Sequence, residues 1–172
     1  MASRFLTPRT TMACLALAGL PAFAQTDIKA AVLKHLKTSR DFTLKVADQM
    51  PEADYGFKLT PPQMSFAEQI THLAQEQAGF LAAFSNDKPN PGKPASMNKK
   101  DVLAFARQSF DSSIDRVSKL TAAQIEKTYT TEEGTMTGLE LLMLLMDHTT
   151  HHRASAEMYL RAKGITPAEY QF

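Results

Sequence analysis

An all-α fold of four long helices is what this chain predicts, and three observations carry it. Four segments repeat their apolar residues at helical spacing, two of them open on a capping box, and no segment alternates persuasively as a strand. The first helix runs from Asp27 to Met50, with Thr26 as its cap and Pro51 as its stop, because proline has no N–H to donate and clashes with the preceding turn. Its face Leu36, Ser39, Thr43, Val46 and Met50 is apolar at both ends and carries small hydroxyls in the middle, where space is expected to open. Pro51 to Met64, with Pro61-Pro62, is a structured connection that cannot be helical throughout.

Ser65-Phe66-Ala67-Glu68 starts the second helix with a capping box, which extends to about Phe84. Ser85 to Ser96 contains Asn86, Asp87, three prolines and Gly92, the composition of a surface loop. Leu103, Ala106, Phe110, Ile114 and Val117 place a third helix between Asn98 and Leu120. The polar stretch Thr121 to Gly134 has room for a turn of helix near Ala122 to Lys127. Thr137-Gly138-Leu139-Glu140 is the second capping box, and the fourth helix runs to about Lys163, closed by Gly164 as a left-handed cap with Pro167 beyond.

Composition narrows the function classes. With 172 residues, 44% hydrophobic and 22% charged, the chain can bury one sizeable core. Arg4 and Arg9, the apolar run Met12 to Phe23 and the small-residue signal Ala22-Phe23-Ala24 read as a secretory leader cleaved after Ala24. The run is shorter than the roughly 20 residues of a membrane span. Residues 1–24 are therefore assigned as a signal peptide and 25–172 as one domain, periplasmic or secreted and free of the membrane after cleavage. Cleavage removes Cys14, so neither disulfides nor thiolate ligands are available, and histidine and carboxylate are left for chemistry. It also takes the 19 basic residues down to 17 against 18 acidic, a net charge of −1, and the basic residues are scattered. Counterion release cannot then drive binding to nucleic acid.

The chemistry concentrates in Asp147-His148-Thr149-Thr150-His151-His152-Arg153, inside an apolar segment that runs from Leu139 to Leu160 without Gly or Pro. At helical spacing Leu141, Leu145, His148, His152, Ser155 and Tyr159 share one face, so two imidazoles continue a leucine seam. Side chains at i and i+4 lie about 5–6 Å apart at Cβ, close enough for two ring nitrogens to converge on one ion at about 2.0–2.1 Å. His148 with His151 is the i,i+3 alternative. Such a site needs a third ligand from elsewhere. His35, between Lys34 and Lys37, suits a solvated surface; His72, with Glu76 one turn further along its helix, is the better candidate. His148-Thr149-Thr150-His151-His152 lacks a glutamate in second place, which disfavours a zinc-peptidase reading. Met143, Met146 and Met158 lie in the apolar last helix, where packing rather than copper binding is the expected role.

The order of these signals resembles the DinB-like (DinB/YfiT) superfamily of bacterial four-helix bundles. The residues that carry the resemblance are Met50-Pro51-Glu52-Ala53-Asp54-Tyr55 with Lys58-Leu59-Thr60-Pro61, Ser65 through His72, His148 through Arg153, and Tyr159 through Ile165. They span nearly the whole mature chain. The resemblance implies a bundle with a long crossover between helices 2 and 3, here Ser85 to Ser96, and a three-histidine metal site at His72, His148 and His152. It implies one divalent transition ion, with zinc, nickel, iron and manganese not distinguished, and pairing into homodimers. Three imidazoles would leave a metal one or more open positions. In that setting Glu76 is the candidate catalytic base or additional ligand, and Asp147 a partner that orients His151. Members of the superfamily include thiol transferases, hydrolases and isomerases, and export away from cytosolic thiols counts against the thiol-transferase role. The expectation is an exported metal-dependent enzyme of hydrolase or transferase type acting on an unknown small molecule. The alternative is a non-catalytic metal- or small-ligand-binding protein of the cell envelope.

Overall fold

The computed structural model describes residues 21–85, 88, 90–131 and 134–171, with only the backbone path for 21–27. Most of the leader lies outside them. Helix α1 (Pro21–Gln49) begins ahead of the expected cap, so Thr26 is inside the helix. Proline is well tolerated in a first turn, and Ala22-Phe23-Ala24-Gln25 offers no breaker before Thr26. A 3₁₀ turn at Glu52–Asp54 follows. Then come α2 (Phe66–Ala82), α3 (Lys99–Lys119), the short α4 (Ala122–Glu126) and α5 (Gly138–Ala162). No helix among the described residues is long and apolar enough to cross a membrane.

Both expected capping boxes form. Ser65 Oγ accepts from the Glu68 N–H at 3.2 Å and Glu68 Oε2 accepts from the Ser65 N–H at 2.6 Å. Thr137 and Glu140 repeat the pair at 3.2 and 2.6 Å. Gly164, at φ 75°, reverses the chain after α5 while the Ile165 N–H donates to the Leu160 carbonyl at 2.9 Å, the cap expected there.

One expectation fails between α4 and α5. Thr128–Thr131 (β1) pairs antiparallel with Gly134–Thr137 (β2) in register Thr131↔Gly134. The β-branched and aromatic run Thr128-Tyr129-Thr130-Thr131 suits a pleated surface, but four residues a side give too few alternations to register as a strand in sequence. Tyr129 anchors the hairpin by packing on Phe84, ring centres 5.2 Å apart, and donating its hydroxyl to the Gln124 carbonyl at 2.9 Å. Gly138 is required where α5 leaves the hairpin, since a Cβ there would lie 2.4 Å from the Gln124 carbonyl oxygen and 2.9 Å from the Ile125 Cα.

Long-range polar contacts define the helix directions. Arg40–Asp111 at 2.8 Å and Lys99–Asp48 at 3.1 Å run α1 antiparallel to α3. Ser109 donates to the Ala74 carbonyl and Arg116 to that of Leu81, so α2 and α3 are parallel. Gln69 with His152 and Phe80 with His148 run α2 antiparallel to α5. Two consecutive parallel helices force the chain to return the length of the bundle between them, so a crossover joins α2 to α3, and its described part, residues 90–98, is neither helix nor strand.

The core has two apolar clusters, one around Phe42, Met50, Phe66 and Tyr159, the other around Leu36, Leu73, Phe110, Leu142 and Leu145. In the middle of α1, where space was expected, the Arg153 guanidinium enters from α5. It is 4% exposed, donates to Ser39 Oγ at 2.8 Å and lies 4.7 Å from the Phe42 ring centre. The small hydroxyl side chain of Ser39 thus makes room for a buried cation and accepts from it.

Candidate metal centre

The histidines occupy the edge of the buried face of α5 rather than its centre. The buried stripe of α5 is Leu141, Leu142, Leu145, Met146, Thr149, Arg153, Ala156, Tyr159 and Leu160, while His148 and His152 are half-buried beside it. This corrects the seam read from the sequence. A stripe one residue over, through Thr149 and Arg153, faces α1, and that shift turns His148 and His152 toward α2. Met143, Asp147, His151, Ala154 and Met158 form the outward face. Met143 and Met158 are each 57% exposed, so packing explains Met146 alone of the three.

From α2, His72 points into the same groove. One ligand atom from each of His72, His148 and His152 can be chosen so that all three lie within 4.8 Å of one another. The ring centres are 5.1 Å apart for His72–His148, 4.6 Å for His72–His152 and 4.4 Å for His148–His152. His151 touches the group only edge-on, its ring centre 4.9 Å from that of His152, and is exposed. His35 lies apart, in a cleft with Val32 and Met146 between α1 and α5. Glu76 Oε1 lies 3.8 Å from Nδ1 of His72, with its side chain 40% exposed. Phe80 caps one side, 5.4 Å from the His148 ring.

A residue not singled out in the sequence completes the set. Nδ1 of His152 is 2.6 Å from Oε1 of Gln69, one turn before His72 on α2. The only sequence signal for Gln69 is its i−3 position relative to His72, which puts both on one side of the helix.

The electrostatics suit ligation. Burial, reinforced by His72 and His151, pushes the His148 imidazolium down to about 4. Burial, with His148 next in effect, does the same to His152, also to about 4. Both rings are therefore neutral near pH 7 with lone pairs available, the form a metal requires. A stability consequence follows in the metal-free chain. With the folded pKa below the ordinary value of 6.5, the unfolded chain takes up protons first as pH falls. Stability contributed by these rings is present above about pH 6.5 and is lost down to about pH 4. Urea midpoints at pH 7, 5.5 and 4 in chelator should fall more steeply for the native chain than for a His148→Gln/His152→Gln variant. Identical slopes would show that the rings titrate normally.

Three imidazoles converging from two antiparallel helices make this a four-helix-bundle protein with a histidine cluster able to hold a transition metal, since neutral imidazole is a common ligand for such ions. The chain belongs to the DinB family, whose model matches residues 24–172. It is similar to the uncharacterized protein YjoA of Bacillus subtilis (strain 168), 23% identical over 139 residues that cover 78% of this chain and 90% of that protein. The crystal structure of YjoA, a DinB-like protein, superposes with a TM-score of 0.70 at 21% identity, covering 81% of this chain and 96% of that one. A DinB-like protein from Bacillus cereus superposes at 0.72 with 16% identity, covering 83% and 97%. These likenesses establish the bundle.

Proposed function

We propose that this is an exported protein that holds one divalent first-row transition ion on His72, His148 and His152 and uses it in a hydrolase- or transferase-type reaction on a small molecule. The supporting observation is the convergence of three imidazole donors within 4.8 Å, two of them held neutral by burial. A divalent ion on such a set supplies Lewis-acid polarisation of a substrate oxygen. The chain's own residues do the rest. His72 enters from α2 and the other two from α5, so the packing of two helices sets the spacing. Glu76, partly exposed at the edge of the groove with Oε1 3.8 Å from Nδ1 of His72, is placed to accept a proton at Oε1. Phe80 presents an apolar wall beside His148.

A second reading, a non-catalytic envelope protein that binds the ion or a small ligand, is favoured by the openness of the groove. The side chains of His72 and Glu76 are 31% and 40% exposed, leaving limited means to exclude water from a reacting centre. Tag-free protein should retain about one first-row divalent ion per chain by elemental analysis, and its mature N-terminus should read Gln25 by mass spectrometry. The loaded chain would then be screened on esters, lactones and thiol-conjugation substrates beside His72→Ala. Turnover lost in the variant supports the enzyme; uniform inactivity with full metal content supports the binder. No uptake after reconstitution would overturn the metal enzyme and the metal binder alike, leaving only a small-ligand binder.

A further inference from the structure

We propose that Gln69 is the positioning residue of the three-histidine group: its amide oxygen fixes the ring and the tautomer of His152, leaving Nε2 as the free donor. The inference rests on the metal reading above and extends it to a residue outside the ligand set. Its basis is the 2.6 Å approach of Gln69 Oε1 to Nδ1 of His152 across the α2–α5 groove. With the amide oxygen facing the ring, and a carbonyl oxygen only accepting, the proposed arrangement has the proton on Nδ1, and a neutral imidazole protonated at Nδ1 has its lone pair on Nε2. The acceptor is itself held firmly. Gln69 lies in the first turns of α2, where the Ser65–Glu68 capping box ties down the helix start, its own N–H donates to the Ser65 carbonyl at 2.9 Å, and its neighbour Ile70 is fully buried. Helix α2 therefore performs two tasks in one turn and a half: it delivers His72 and orients a histidine on the opposite helix.

The choice of an amide has a chemical consequence. A carboxylate at this position would draw the Nδ1 proton toward itself and make the ring a stronger donor, whereas glutamine orients the ring and leaves it neutral. Serial arrangements in which a ligating imidazole donates its other N–H to a fixed acceptor tune metal affinity by about 10–100-fold.

The test uses the full mature chain and two apolar replacements, Gln69→Leu and Gln69→Met, with Gln69→Glu restoring an acceptor. In the metal-free proteins, long-range ¹⁵N–¹H correlation spectra assign the tautomer of His152. Zinc affinity is then measured by competition with a chromophoric chelator at pH 7.5, and urea midpoints report the fold. We expect His152 of the native chain to be in the Nδ1–H form and both apolar variants to lose that preference. Their zinc affinity should fall about 10–100-fold with little change in the urea midpoint, and Gln69→Glu should restore both properties. Apolar variants with the native tautomer and affinity within twofold of the native chain would overturn the proposal. A native chain that takes up no zinc, yet shows the Gln69-dependent tautomer, would support the positioning role and overturn the metal reading alone.

Discussion

His152→Ala is expected to lower metal affinity by more than about 100-fold, beyond the range caused by losing an outer hydrogen-bond partner. His152 has ring contacts with both other members of the group, 4.6 Å to His72 and 4.4 Å to His148, and it alone is tied to Gln69. Removing it leaves two imidazoles whose rings are 5.1 Å apart and no third nitrogen. The readout is thermal as well as compositional. An ion at about 100 times its Kd stabilises the native chain by about 2.7 kcal/mol, a Tm rise of roughly 5–10 °C for a domain of this size. In the variant that rise should vanish while the metal-free Tm stays near the native value, because a half-buried ring at the edge of the core carries little packing. His148→Ala and His72→Ala should behave alike. A variant that keeps the metal-dependent rise would remove His152 from the site.

Phe66→Ala is expected to be the most destabilising simple truncation near the site, costing about 3–5 kcal/mol. Phe66 is fully buried as the first residue of α2, with its ring centre 5.2 Å from that of Tyr55 and 6.2 Å from that of Tyr159. The ring's contact with Tyr55 fastens the 51–64 connection to the start of the helix, beside a backbone bond from the Phe66 N–H to the Phe57 carbonyl at 2.9 Å that the truncation leaves in place. The cavity would open where α2 is anchored against α5, and these are the helices that carry the histidines. At roughly 2–4 °C per kcal/mol, the metal-free Tm should fall by about 6–20 °C. Saturating metal should restore part of that loss, since ligand linkage adds to whatever stability the fold retains. A drop below about 1 kcal/mol would show that the aromatic cluster collapses around the gap.

The helices were legible because their signals are local. Ser65 with Glu68 and Thr137 with Glu140 each satisfy backbone donors within one turn, and Gly164 needs only its own backbone freedom to close α5. The β1–β2 hairpin was not legible, because four-residue strands gain their stability from Tyr129 packing on Phe84, a partner more than forty residues away. The site divides in the same way. The i,i+4 spacing brings His148 and His152 together whatever surrounds them, and it also allowed the rival pair with His151. Which face of α5 is buried is a matter of packing, and there the sequence misled: a leucine seam extended through the histidines looks continuous, yet Arg153 and Thr149 hold the centre.

Local signals were therefore enough for the set of long helices, the two capping boxes, the Gly164 stop and the pairing of histidines on one side of the last helix, all consequences of interactions within a turn or two of backbone. The packing of the helices was needed to show that α2 runs antiparallel against α5, that His72, favoured over His35 by sequence and resemblance, does reach the pair, and that Gln69 reaches Nδ1 of His152. Those contacts join residues some eighty positions apart, and their geometry is set by how the apolar faces of different helices pack, a property that no single helix's pattern contains.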